Sequence, residues 1–282
     1  MKLFSIITIC LNIEHEIKRT ILSVLEQDCD NFEYIIQDGG STDQTVSIAE
    51  SFISVFEERG IPFYIFSKHD GGIYNAMNIA AQQTHGEWVI YMNGGDCFAE
   101  ATVLSQVIGN SVLENADVVY GDVIIRNNNY YRYFKAQAIE NIRFGMPFCH
   151  QSVFTRKELL DARPFSVKYK VCSDYLFYLQ WYYECAKFVY LPIAISIYDA
   201  GGISSDGNIV RREKVQIYEE MPIRDEEAIK RVKDSFKKIT KKDLLRDHLK
   251  KFVPWKLRKM RCDYLMKKDG WKIEKDFFHL SV

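Results

Sequence analysis

Apolar and polar runs alternate along the first hundred residues in an order that predicts a parallel α/β sheet. Phe4 to Cys10, FSIITIC, is an apolar run of strand length, after which Ile17, Ile21, Val24 and Leu25 recur at helical spacing. Phe32 to Ile36, FEYII, reads as a second strand; it ends in QDGGSTDQT, Gln37 to Thr45, ahead of another helix. Pro62 to Ser67, PFYIFS, is a third strand, and Ile90 to Phe98, IYMNGGDCF, is a fourth apolar run broken at Asn93, Gly94 and Gly95. Strand, turn and helix repeated in this way predict βαβ units with right-handed crossovers.

The turns carry the chemistry. Asp38, Asp70 and Asp96 each follow a strand and stand beside glycines, so three acids are delivered to one rim of the sheet. Open α/β sheets bind ligands at the carboxyl ends of their strands, and a carboxylate there suits a hard divalent cation carrying a substrate phosphate. One such turn is equally an ordinary strand-ending loop. Three in succession are not expected of chance loops. Ser41 or Thr42 is placed to cap the following helix, and Tyr74 and Asn78, one turn apart, share a helix face.

Four ordered segments, SIITICLN, DGGSTD, DGGIYNAMN and GEWVIYMNGGD, closely resemble the nucleotide-sugar-binding half of family 2 inverting glycosyltransferases. The resemblance covers residues 1 to 204 and is nearest to the bacterial subgroup that builds O-antigen, capsule or exopolysaccharide repeat units. It implies a GT-A fold: a Rossmann-like, mostly parallel sheet flanked by helices. It also implies that Thr8, Asn12, Asp38, Asp70, Tyr74, Asn78, Asn93 and Gly94 surround the nucleotide-sugar, and that Asp96 anchors Mn²⁺ or Mg²⁺. Two positions depart from the family pattern. Gly39 replaces the second acid of the usual Asp-Asp-Gly-Ser element, which leaves Asp70 as the alternative nucleobase contact. Asn93 and Gly95 stand where many relatives place acids, so the metal site would be completed by diphosphate oxygens and water.

Farther along, PFCHQSVFTRKEL places His150 and Gln151 ahead of a strand-like patch, and resembles the family element beside the acceptor and sugar pocket. Read alone, a single histidine is more often a surface or satisfied core residue. Asp174 falls in the first turn of an aromatic helix, where an acid is ordinarily a dipole-stabilised cap; in the resemblance it matches the catalytic base. One residue can do both. Gly202, in the glycine-rich YDAGGISSDG, matches a mobile flap over donor and acceptor, although a plain linker reads the same way.

Charge divides the chain where the resemblance stops. Residues 1 to 204 hold 15 Lys and Arg against 24 Asp and Glu, net −9, and residues 205 to 282 hold 22 against 14, net +8. This predicts a catalytic domain over 1–204, with 1–98 binding nucleotide-sugar and 99–204 on the acceptor side, followed by a basic helical extension over 205–282. Lys250 to Lys272 interleaves Phe252, Trp255, Leu257, Tyr264 and Trp271 with cations, a mixture suited to a membrane surface or to packing on the body. Nucleic acid is a poor partner for an acidic body without a recognised binding motif. Neither a signal peptide nor a transmembrane-length apolar run is legible, and seven cysteines without metal-like pairs fit a reducing cytoplasm.

The resulting expectation is an inverting transferase on the inner face of the bacterial cytoplasmic membrane. It would move a hexose, with UDP-glucose as the working donor, from a UDP-sugar to an undecaprenyl-diphosphate-linked saccharide; self-association is left open. The competing class is a noncatalytic sugar-nucleotide-binding scaffold of a polysaccharide assembly complex. Asp96 and Asp174 argue against it.

Overall fold

The computed structural model describes residues 3–200, 207–223, 225–237 and 272–273. The chain falls into two compact units, one of residues 1–124 and 133–199 and the other of 125–132 and 200–282. The first opens with β1 (Phe4–Cys10), α1 (Ile17–Leu25), β2 (Phe32–Asp38), α2 (Thr45–Glu50), α3 (Ile53–Glu58), β3 (Phe63–Ser67), α4 (Ile73–Ala81) and β4 (Trp88–Tyr91). These strands lie in the order β3-β2-β1-β4, every pair parallel, as the alternation of runs predicts. The order reverses at β1, so a crevice is expected outside the carboxyl ends of β1 and β4.

The unit continues through β5 (Cys97–Phe98), α5 (Val103–Gly109), β6 (Val118–Asn127), β7 (Tyr130–Phe134), β8 (Val153–Arg156), α6 (Lys157–Ala162), α7 (Ser173–Tyr183) and β9 (Phe188–Asp199). Here the pairing changes direction. β8 runs antiparallel to both β4 and β6, and β9 is antiparallel to β5.

β1, β2 and β4 are buried on both faces, which is why they read as continuous apolar runs rather than alternating ones. On one face Ile17, Ile21 and Val24 of α1 join Phe4, Ile6, Tyr34, Trp88 and Ile90 in one cluster. α4 packs on β1 and β2 outside that cluster, covering the other face. The sheet is thus enclosed, and its rim is where polar chemistry can emerge.

The amino ends of the strands are fastened by a buried carboxylate. Glu33 accepts hydrogen bonds from the Ser5 hydroxyl at 2.6 Å, the Gly86 amide at 3.2 Å and the His85 amide at 2.5 Å. Gly86 is required there, since a Cβ would lie 2.6 Å from the backbone carbon of Phe4 and the amide nitrogen of Ser5. Backbone inside a central strand cannot yield. Gly86→Ala should therefore destabilise by about 1–3 kcal/mol, read as a lower urea midpoint; an unchanged midpoint would contradict the close approach.

The second unit contains the tip of the β6–β7 hairpin, α8 (Gly207–Glu220), α9 (Glu226–Lys237) and β10 (Lys272–Ile273), which pairs antiparallel with Tyr130 and Tyr131. α8 and α9 pack on each other. Among the described residues no helix is long and apolar enough to cross a membrane.

Candidate active site

At the carboxyl end of β2, Asp38 organises its own loop. Its carboxylate accepts from the amides of Gly40 at 3.1 Å and Ser41 at 2.9 Å, and from the hydroxyls of Ser41 and Ser67. Burial pushes its pKa up, but these bonds outweigh burial and hold it below the ordinary carboxylate value. The stability they contribute is present at neutral pH and is lost as pH falls through that depressed value. Asn12, with φ 51°, ties the first loop to the second: its side-chain oxygen accepts from the Thr42 amide at 2.8 Å, and its own amide donates to Ser41 Oγ at 2.7 Å. The expected cap by Ser41 or Thr42 is corrected here. Both hydroxyls serve these inter-loop bonds, and Asp43 takes the amide and hydroxyl of Thr45 instead.

Gly39 and Asp70 compete for one space. A Cβ on Gly39 would stand 2.9 Å from Asp70 Oδ2, so the Asp70 carboxyl reaches toward the place where a second acid of the β2 loop would project. Asp70 Oδ1 accepts from the Gly72 amide at 2.9 Å, and Gly71 and Gly72 adopt φ values of 77° and 122° that only glycine takes easily. Thr8 faces inward, donating to the Met92 carbonyl at 2.6 Å and bonding the Tyr34 hydroxyl at 2.8 Å.

The loop after β4 is clamped from α1. The Gly95 amide donates to Thr20 Oγ1 at 2.9 Å and its carbonyl accepts from Arg19 Nη2 at 2.6 Å, while a Cβ on Gly94 would meet Ile13 Cδ1 at 2.1 Å. Asp96, only 4% exposed, accepts the Asp199 amide on Oδ1 at 2.9 Å. Asn93 Oδ1 is buried with no hydrogen-bond partner. Among the described residues no three His, Cys, Asp or Glu side chains group closely enough to hold a metal alone. By donor chemistry alone, the Asp96 carboxylate and the orphaned Asn93 amide oxygen are hard oxygen ligands of the kind a divalent cation takes.

Asp174 opens α7, as its position in the sequence predicts. Its Oδ1 accepts from the Tyr175 amide at 2.8 Å and lies 2.9 Å from the Tyr74 hydroxyl of α4. Burial first, then the Asp174 charge, push the Tyr74 phenol well above its ordinary value, so it stays protonated. Asn78, one turn on, is consumed in a reciprocal pair: it donates to the Phe165 carbonyl and accepts the Phe165 amide, each at 2.8 Å.

His150 sits in a cage of Tyr91, Phe165 and Tyr178, with ring centroids 5.2, 5.7 and 6.0 Å away, and both ring nitrogens are buried without a partner. Burial holds the imidazole below its usual pKa against the opposing pull of Asp174, so the ring is neutral. Gln151 accepts the Cys149 thiol at 3.0 Å. Burial, and after it the charges of Asp96 and Asp174, push that thiol up to about 12.

Gly202 and the Lys250 to Trp271 segment lie outside the described residues. Sequence reasoning missed Asp199, Arg19 and Cys149. Asp199 had a signal, because it ends a strand ahead of Gly201 and Gly202 in the same acid-then-glycine manner as the turns at Asp38 and Asp70. Arg19 pairs with it at 3.4 Å, on a surface exposed enough that the pair adds little stability.

Residues 5–181 match the family model Glycosyl transferase family 2. Over 209 residues the chain is 34% identical to the PGL/p-HBAD biosynthesis glycosyltransferase of Mycobacterium tuberculosis, covering 72% of this chain and 79% of that one. It is 29% identical over 127 residues to the UDP-Glc:alpha-D-GlcNAc-diphosphoundecaprenol beta-1,3-glucosyltransferase WfgD of Escherichia coli, covering 45% and 48% of the two chains. Staphylococcus aureus TarS 1–349 in complex with UDP-GlcNAc superposes with a TM-score of 0.62 at 20% identity, covering 79% of this chain and 68% of that one, and this likeness shows the GT-A fold. The chain spans 39% of the longer TarS chain. With the motifs in order along one sheet rim and a relative matched over most of both chains, this protein belongs to glycosyl transferase family 2 and is a glycosyltransferase of glycan biosynthesis.

Proposed function

We propose that the protein transfers a hexose with inversion from a UDP-sugar, glucose by preference, to a saccharide carried on undecaprenyl diphosphate. The observation that carries this reading is the 2.9 Å contact between the Tyr74 hydroxyl and Asp174 Oδ1, which sets the candidate base against α4, the helix that follows the Asp70 turn of the rim. WfgD, named for transfer of glucose to such a lipid carrier, supports the donor and acceptor classes.

In the reaction, the acceptor oxygen bonds the anomeric carbon as its proton passes to Asp174. The bond from that carbon to the diphosphate breaks, and its electron pair leaves on UDP. Asp96 and the Asn93 amide oxygen would hold Mn²⁺ or Mg²⁺, which when bound offsets the charge developing on the diphosphate. Asp70 takes the nucleobase role, since Asp38 is committed to its loop. Tyr91, Phe165 and Tyr178 present neutral His150, beside Gln151, to a sugar hydroxyl. Thr8, Asn12 and Asn78 shape the pocket through backbone, their side chains being bonded within the fold.

A panel of UDP- and GDP-sugars screened for metal-dependent binding and transfer tests the reading. Binding without turnover on any lipid-linked acceptor would favour the noncatalytic scaffold. The basic tail is proposed to hold the enzyme peripherally on an anionic leaflet, where each Lys or Arg contributes roughly 1 kcal/mol. Truncation just before Lys250 should abolish co-sedimentation with anionic vesicles while UDP-sugar binding persists. Full-length protein that ignores such vesicles at low salt would assign the tail to packing or self-association instead.

A further inference from the structure

We propose that Tyr74 is the positioning residue of the base, fixing Asp174 through Oδ1 so that Oδ2 faces the acceptor hydroxyl. The inference rests on the reading of Asp174 as the base. Oδ1 is held from two sides, by the Tyr175 amide of its own helix at 2.8 Å and by the Tyr74 hydroxyl of α4 at 2.9 Å. Oδ2 has no hydrogen bond among the described residues, so it is the oxygen left to take a proton.

The same hydroxyl stands 2.6 Å from the Val171 carbonyl. One phenolic proton thus has two acceptors, and the choice between them follows the charge on Asp174. While Asp174 is ionised, its charge draws the proton to Oδ1. Once Oδ2 has bonded the acceptor's proton and the carboxyl is neutral, the phenol donates to Val171. Tyr74 therefore serves both protonation states without moving, and no proton leaves it. Its phenol is buried, its ring packs 5.9 Å from Phe165, and α4 carries Asp70, Gly71 and Gly72 just before it. The base is in this way registered against the donor loop through one helix turn.

The titratable groups that respond to the Asp174 charge are Tyr74, Cys149, His150 and Tyr178. Burial keeps the phenols and the thiol protonated and the imidazole neutral. The Tyr74 contact is consequently the one whose loss should register on the carboxyl.

The test is a double-mutant cycle of Tyr74→Phe and Asp174→Asn, read as kcat, donor KM and UDP-sugar Kd. Tyr74→Phe keeps the packing and should lower kcat about tenfold or more, the scale of one hydrogen bond to a charged group. Donor KM and UDP-sugar Kd should stay within a factor of two or so, so that the loss falls on kcat and not on donor binding. In the background of Asp174→Asn the second substitution should cost nothing more. If both variants reduce rate and their effects multiply, or if Tyr74→Phe weakens donor binding in step with kcat, Tyr74 does not act through Asp174. If Asp174→Asn alone leaves transfer intact, the base assignment fails instead, which separates the two readings.

Discussion

Replacing Asp174 by Asn is expected to cut transfer about a hundredfold or more while UDP-sugar affinity stays within a small factor. The substitution keeps the shape of the side chain and its hydrogen bonds through Oδ1, from Tyr175 and Tyr74, but removes the capacity to accept a proton. Inverting displacement cannot dispense with that acceptance, because the acceptor hydroxyl is a poor nucleophile until its proton is taken. Calorimetric titration with UDP-sugar beside initial-rate measurement decides the case. Affinity falling in step with turnover would make Asp174 a donor-binding or structural residue.

The second large effect is at Asp96. Asp96→Ala should abolish metal-supported transfer, since removing several kcal/mol of leaving-group stabilisation amounts to orders of magnitude in rate. It also deletes the acceptor of the Asp199 amide, so Asp96→Asn is the control: its amide oxygen can keep that bond while the charge is lost. Both variants should fail to bind Mn²⁺ in the presence of UDP by electron paramagnetic resonance. Ordinary Mn²⁺ binding by a folded Asp96→Asn protein would move the cation site elsewhere.

The parallel half of the sheet was legible because burial on both faces writes itself as uninterrupted apolar runs, and the glycine turns mark where each strand stops. The antiparallel half was not. β9 is only partly buried along most of its length, and its pairing with β5 joins segments about a hundred residues apart, which no local pattern records. The acids of the rim were legible as residues but not in their allegiances. Asp38 looks like a ligand group in sequence, yet four donors from its own and the neighbouring loop occupy it. Asn78 looks like a polar group facing a ligand, yet the Phe165 backbone takes both ends of its amide. His150 ran the other way: a lone histidine is weak in sequence, and only the fold shows its two bare nitrogens held inside an aromatic cage.

The approach of Gly39 to Asp70 couples the two loops through their charge. An acid arriving on the β2 loop would press a like charge toward Asp70, whose carboxyl end would have to swing aside or give way to a neutral residue. The sum of charge at the corner can persist while the strand that donates it changes. In laboratory terms, Gly39→Asp alone should weaken UDP binding, and pairing it with Asp70→Gly should restore part of the loss.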